Sequence, residues 1–486
     1  MTTAPAAPAS VSACDGSLQG PRTAVSASTV QAAMNAAAPG DVLVAPRGTT
    51  LPPLTVPPDK RGAWCVLMTD GEPNLSRPGT TVTADQAVAM VKTPGITATD
   101  GSGGWRFVGI EVPRPPVPDT VYVLINLARG SSRLRFERCY PHGTAGQPLR
   151  RSIALNNADT AVVDSLSTEN HEPGADAQAI CGWDGPGPFL IDNCELSAST
   201  ENILFGGSDP SLAGLIPSDI TIRRTRLSKD PAWGNLYPQK NKLEFKNARR
   251  VLVEDMDFVA DGWRGVGIVI TPRNQDGSAP WCGVTDLLIQ NSRFHDLLAL
   301  FSLQTTDDVH ASMACARIAI RNLLGLNIQQ RAFYWGSGVA GAILDDLEIS
   351  HVTALPCRNS PFWPEGALGR RLTFTDNLFG AGSYAGQAVA ALIAAAGSDG
   401  VLARNVLVDA GDEDGAGPDR NQGFTAAQFN SIHDPTGVGL DLSTGIGLSP
   451  TIGYQPTPIP TPAPAPPSPF TDAEVATLRN LAALIE

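Results

Sequence analysis

The sequence predicts an all-β fold, a right-handed parallel β-helix solenoid of about 10–12 rungs. Three observations carry that expectation: a strand pattern repeated ten times, alternation of apolar and polar residues within each copy, and a second, less regular strand in most repeats. The copies begin at Leu134, Ala161, Phe189, Ile220, Val251, Leu287, Ile318, Ala342, Leu372 and Val401, in steps of 27, 28, 31, 31, 36, 31, 24, 30 and 29 residues. Each runs apolar, any, apolar, polar, then Asn or Asp in seven of the ten: LRFER, AVVDS, FLIDN, ITIRR, VLVED, LLIQN, IAIRN, AILDD, LTFTD, VLARN. Alternation points one row of side chains inward. A strand this short cannot bury its row alone, so the copies stack at roughly 4.8 Å per rung. Asn and Asp suit the turn that ends each strand, because they tolerate left-handed backbone and bond locally. Their amides can also stack into ladders. A helical solenoid would show a period of 3.6, and a β-sandwich would space its strands about 8–12 residues apart. Neither matches.

Second strands are expected at 152–157, 177–183, 202–205, 242–246, 266–270, 298–304 and 332–335. Two or three strands per turn make a parallel β-helix. The 48 glycines and 41 prolines fit a turn-rich β protein, and the low aromatic content points to an aliphatic core. A net charge of −13 argues against a general nucleic-acid binder and against an anionic membrane surface. No apolar stretch is long enough to span a bilayer. The eight cysteines, at 14, 65, 139, 181, 194, 282, 315 and 357, lack metal-ligand or disulfide-framework spacing and are expected to be free thiols. Cys139 and Cys194 share the sixth position of their repeats. No metal or cofactor is expected, since the histidines do not cluster.

Taken in order, residues 1–22 are expected to be a flexible arm that lacks the pattern of a secretory signal. Residues 23–100 hold an N-terminal cap, with a short helix over Thr29–Ala38 and Ser28 as its N-cap, and the first strands. Residues 101–410 form the β-helix, and 411–454 an irregular, acidic C-terminal cap. Residues 455–469 read QPTPIPTPAPAPPSP, a semi-rigid spacer reaching up to ~45 Å at about 3.1 Å per residue. Residues 470–486 form an amphipathic helix with a Thr471/Glu474 capping box. At that length it is marginal alone, so it should dock on something.

Several stretches carry a family resemblance: VQAAMNAAAPGDVLVAP, DAQAICGWDGPGPFLIDNCEL, ENILFGGSDPSLAGLIPSDITIRR, KNKLEFKNARRVLVED and VITPRNQDGSAPW, spread over roughly 29–300. The chain resembles uncharacterised bacterial and phage right-handed parallel β-helix repeat proteins of the pectin-lyase-like type. The resemblance implies the fold. It leaves activity open, because such solenoids include lyases, hydrolases, epimerases, tailspikes and adhesins.

Polar residues interrupt the solenoid pattern between Asp176 and Asp276. Alternation in NKLEFK places Leu243 and Phe245 inward and Lys242, Glu244 and Lys246 outward. Asp176, Gln178, Glu201, Asn202, Lys242 and Glu244 then fall on neighbouring rungs, with Arg273, Asn274 and Asp276 following. Paired carboxylates can serve as general acid and base, and a cation can neutralise a uronate. Asp176, Glu201, Glu244 and Arg273 are therefore the catalytic candidates. Gln178, Trp183, Asn202, Lys242, Asn274 and Asp276 are the substrate-binding ones, with Trp233 and Trp263 as further rings able to stack on a sugar. A salt-bridged structural face is the competing reading. His171, beside Glu169 and Glu172, is a weaker candidate.

The known signatures of the fold are missing. There is no vWiDH strand or RxPxxR segment of pectate lyases, no DPHE of alginate epimerases, and no GHG after Asp307–Asp308 or Asp345–Asp346 as polygalacturonases require. The functional expectation is a surface- or virion-displayed β-helix, tailspike-like, that recognises a glycan along its face, with cleavage left open. A secreted polysaccharide lyase, hydrolase or epimerase is the alternative. The expected partners are a polysaccharide and a host assembly reached through the C-terminal helix, with a homotrimer admitted.

Overall fold

The structure, a computed structural model, describes residues 2–14, 18, 20–71, 79–259, 265–380, 384–408 and 422–424. Among the described residues, parallel strands stack into a β-solenoid of about ten turns. The chain divides into two compact units. The first comprises residues 7–252 and 275–282; the second comprises 1–6, 253–274 and 283–486.

In the first unit, strands Arg22–Ala24, Val42–Ala45, Cys65–Thr69, Gly103–Val108, Ser132–Glu137, Ala158–Val163, Phe189–Asp192 and Ser218–Arg223 stack in parallel. A second stack runs from Leu54–Thr55 through Ile96–Ala98, Ile125–Leu127, Arg151–Leu155, Gln178–Gly182 and Glu201–Phe205 to Leu243–Phe245. In the second unit, long strands Val284–His295, Ala316–Ile328 and Ile343–Cys357 pair in parallel. They are accompanied by Val266–Ile270, Ala299–Gln304, Arg331–Gly336 and Ser360–Glu365. All seven expected second strands are present.

Register corrects three repeat starts. Ile318 pairs with Leu347, so that repeat begins five residues after Ala342. Thr160, not Ala161, pairs with Phe189, and Thr373 opposite Val401 sets the last start at Gly400. With these starts, the fifth residue of all ten repeats has positive φ: Arg138, Asp164, Asn193, Arg224, Asp255, Asn291, Asn322, His351, Asp376 and Arg404, at 49–60°. A second left-handed column precedes the starts: Arg133, Asp159, Asp219, Arg250, Asp286, Arg317, Asp346 and Arg371. Eight of the ten four-residue strands thus lie between two left-handed corners; those starting at Phe189 and Gly400 have only the second. Arg occupies several, and there it reaches an aspartate of the preceding rung, as Arg224 does Asp192, Arg317 does Asp286 and Arg404 does Asp376.

The core is not purely aliphatic. Phe107 stacks on Phe136 at 5.2 Å, Phe205 on Phe245 at 6.1 Å, and in the second unit Phe301 on Phe333 at 5.2 Å. Few phenylalanines suffice, because parallel register sets them at the same position of successive rungs, where rings stack offset. Cysteines follow the expectation: all eight are free and seven are buried. Burial pushes the Cys139 thiol up to about 12 and that of Cys181 to about 11. Helix α1 spans Val30–Ala36, and its N-cap is Thr29 rather than Ser28. The Thr29 hydroxyl does not cap the helix but accepts from the Ser26 N–H of the preceding turn at 2.9 Å. A further helix, α2, spans Ala385–Ala396. The proline-rich segment 455–469 and the helix expected at 470–486 lie outside the described residues, as does Trp263. No helix among the described residues is long and apolar enough to cross a membrane.

Candidate functional site

Parallel pairing in the first unit sets Arg151, Gln178 and Glu201 side by side on three strands. Gln178 Nε2 donates to Glu201 Oε2 at 2.8 Å, and both residues are buried. Glu201 is roofed by the segment that joins strand Arg226–Ser228 to strand Leu243–Phe245. That segment is fixed at three points. Asp230 caps the turn Pro231–Trp233 by accepting from the Ala232 N–H at 2.8 Å. Trp233 and Tyr237 close on His171, the tyrosine ring stacked at 4.2 Å and the indole edge-on at 5.6 Å. The Lys229 ammonium is buried among the carbonyls of Ala198, Ser199, Thr200 and Asn241.

So anchored, the segment presents Lys240. Its Nζ donates to Asp176 Oδ2 at 2.5 Å and lies 3.6 Å from Glu201 Oε1. Asp176 and Lys240 keep 39% and 44% of their side chains exposed, whereas Glu201 keeps none. Asn241 Nδ2 donates to Glu244 Oε2 at 3.0 Å, and Lys246 stands 3.6 Å from its other oxygen. Burial first, and the charge of Glu201 after the counteracting Lys246, raise the Glu244 carboxyl above its ordinary range. Burial disfavours the Lys240 ammonium, but its bond to Asp176 and the charges of Glu201, Asp176 and Glu244 outweigh that and raise it. Gln178 Oε1 and Asn241 Oδ1 are buried without a hydrogen-bond partner beneath this patch.

The patch extends along the same unit. Arg150 makes a two-point pair with Glu172 at 2.7 and 2.8 Å, feels Asp176, and lies over the exposed Tyr122 ring at 4.8 Å. Arg151 lies over Trp183 at 5.2 Å. His171 is fully buried, with Nε2 3.0 Å from Glu169 Oε2.

Of the residues singled out from sequence, Asp176, Gln178, Glu201 and Glu244 come together here, bridged by Lys240 and Asn241. Leu243 and Phe245 face the core as alternation requires, but Lys242 and Glu244 on the other side are buried rather than open to solvent. Their neighbours Cys181 and Leu204 on adjacent strands are buried as well as the core-facing Ile180 and Ile203, so both sides of these strands are covered. Asn202 donates to the carbonyls of Leu196 and Ser228, and Trp233 packs on His171. Asp276 bonds through its N–H to Asp209. Arg273 and Asn274 belong to the second unit. There the Arg273 guanidinium donates to Asp307 at 2.7 Å and Asp308 at 2.8 Å, and the Asn274 N–H donates to Asp307 at 2.8 Å. With Val309 N–H also on Asp307, this is a fully engaged staple between loops.

Sequence reasoning missed Lys240, Tyr237, Arg150 and Tyr122. The run QKNK ahead of LEF was the available signal for Lys240; the others lie in unremarkable loop sequence. Among the described residues no three His, Cys, Asp or Glu side chains converge to hold a metal.

No protein-family profile and no curated protein matches the chain. Solved structures do. The Dettilon tailspike protein aligns at 13% identity and a TM-score of 0.45 over 85% of this chain, which spans 66% of its length. A mannuronic acid-specific family 6 polysaccharide lyase from human gut microbiota aligns at 11% identity and 0.46, covering 83% of this chain and 91% of the lyase. A double mutant of the E. coli bacteriophage HK620 tailspike, solved with a pentasaccharide, aligns at 11% and 0.43, covering 82% and 75%.

Proposed function

We propose that the protein is a surface- or virion-displayed β-solenoid that recognises a glycan on the face carrying Asp176, Lys240, Arg150 and Tyr122. One observation supports this most: exposed donors and acceptors, held by buried partners, adjoin aromatic rings. Tyr122 offers a pyranose the ring face that Arg150 leaves uncovered, Lys240 and Arg150 donate to hydroxyls or a carboxylate, and Asp176 accepts. The rigid segment 229–241 preorganises them, so little side-chain entropy is lost on binding.

Glu201 and Glu244 lie beneath this surface. They position Lys240 and Asn241 in the form described, and reach a glycosidic oxygen only if segment 229–241 moves. The alternative, a polysaccharide lyase, hydrolase or epimerase, draws on one observation: a carboxyl held toward its neutral form beside a second carboxylate, as an acid–base pair requires. Association with a host assembly through residues 470–486 belongs to the same proposal.

The test is binding of the full chain to immobilised bacterial surface polysaccharides and polyuronates. Lys240→Ala and Tyr122→Ala should each weaken binding at least tenfold with unchanged melting temperature. Equal binding by both variants would sink the reading. Release of reducing or unsaturated ends by the wild type, lost in Glu244→Gln, would establish the enzymatic alternative.

A further inference from the structure

The arm before the first strand makes a repeated set of contacts. In the second unit, the N–H of Thr3 donates to Asp346 Oδ1 at 2.8 Å and that of Ala6 to Asp286 Oδ1 at 3.1 Å. In the first unit, the N–H of Ala9 donates to Asp219 Oδ1 at 2.8 Å and that of Ser12 to Asp159 Oδ1 at 2.6 Å. Every third N–H is used, and every acceptor is an aspartate of the left-handed column that precedes the strands.

The spacing has a physical cause. Asp286 and Asp346 are two rungs apart, with Arg317 between them, and Asp159 and Asp219 are likewise two rungs apart. Two rungs span about 9.6 Å at ~4.8 Å each. Three residues of polyproline II rise about 9.3 Å and complete one turn, returning the same face. Three of the four acceptors are oriented alike: Arg Nε shares the arm's acceptor oxygen while Arg Nη2 takes the other, from Arg250 on Asp219, Arg317 on Asp286 and Arg371 on Asp346. The arm's prolines, Pro5 and Pro8, fall in a different phase and never cost a donor.

We propose that the aspartate pair in each unit is a recognition track for a polyproline-II peptide with a free N–H at every third residue, and that its occupant is this chain's own segment 3–12. The track reads backbone phase, so proline is tolerated at two positions in three and rejected at the third. No phase of the segment QPTPIPTPAPAPPSP offers more than two successive N–H groups, against the four of the arm, because each phase contains a proline.

Proline substitution separates phase from conformation, because it keeps the extended backbone and removes one donor. In the full chain, Ala6→Pro and Ala9→Pro should speed protease cleavage within residues 2–14 at least tenfold, while Ala7→Pro and Ser10→Pro should leave it unchanged or slower. A labelled peptide of residues 2–13 should bind the Ala6→Pro/Ala9→Pro protein, bind the wild type at least tenfold more weakly, and not be displaced by a peptide of residues 455–469. A peptide with proline at the Ala6 and Ala9 positions should fail to bind. Cleavage rates or peptide affinities indifferent to the phase of the proline would overturn the proposal, as would no binding of the 2–13 peptide.

Discussion

At the residue scale, Glu244 decides what the site costs. Its carboxyl is raised by burial, with Glu201 adding to the effect. A group with a raised folded pKa binds its proton more tightly in the native state, so its stabilisation is complete below the unfolded value, about 4.3, and is lost as pH rises through the folded value. Glu244→Gln, which keeps the shape and the bond from Asn241, should therefore raise the melting temperature near neutral pH and change it little at pH 4. Thermal unfolding across pH checks this, and a shift of the same size at both ends would contradict it. Gln178 and Glu201 were readable as neighbours because register follows from the repeat. Burial of Glu244 was not readable, since alternation gives the side of a strand and not what covers that side.

At the scale of the element, left-handed corners bound the rungs, one after every strand and a second before eight of the ten. An L residue there costs about 1–2 kcal/mol, least for Asn and Asp, which bond locally. Asn322 sits at φ 51°, and its Nδ2 donates to Asn291 Oδ1 on the preceding rung at 2.8 Å. Asn322→Val adds a branched side chain in this conformation and breaks the amide ladder, so a loss of about 2–3 kcal/mol is expected from strain and hydrogen bond together. Asn322→Gly should lose about 1 kcal/mol or less, because relieved strain offsets the lost bond. Urea denaturation compares the two; equal losses would mean that the ladder, not the corner, dominates. The corners also explain the misplaced start at Ala342. Asp345 and Asp346 looked like a strand-ending pair, yet Asp346 is the corner before the strand, and a one-dimensional pattern does not distinguish the two ends.

At the scale of the whole molecule, acid should act on the arm before the core. Asp219 is held below the usual carboxylate range by its bond from Arg250, aided by the Ala9 N–H. Burial acts against Asp286, but the Arg317 bond and the Ala6 N–H outweigh it, and the Arg371 bond lowers Asp346. For depressed carboxylates the stabilisation is present above the unfolded value, about 3.9, and is lost as pH falls through the folded one. Cleavage of residues 2–14 by an acid-active protease should rise steeply below pH 4 while the circular dichroism of the solenoid persists. An arm that stays protected until the solenoid unfolds would contradict this.

The order of residues alone specifies the solenoid, because a strand too short to bury its own apolar row leaves stacking as the only solution, and the period of that row survives every loop. It also held the arm's three-residue rhythm in Pro5 and Pro8, though nothing there names a partner. Which faces are open is set by long-range packing. Segment 229–241 folds back on His171, buries Glu201 and Glu244, and leaves Lys240 and Asp176 at the surface. That outcome depends on contacts between residues far apart in the chain, made through side chains that no local period encodes.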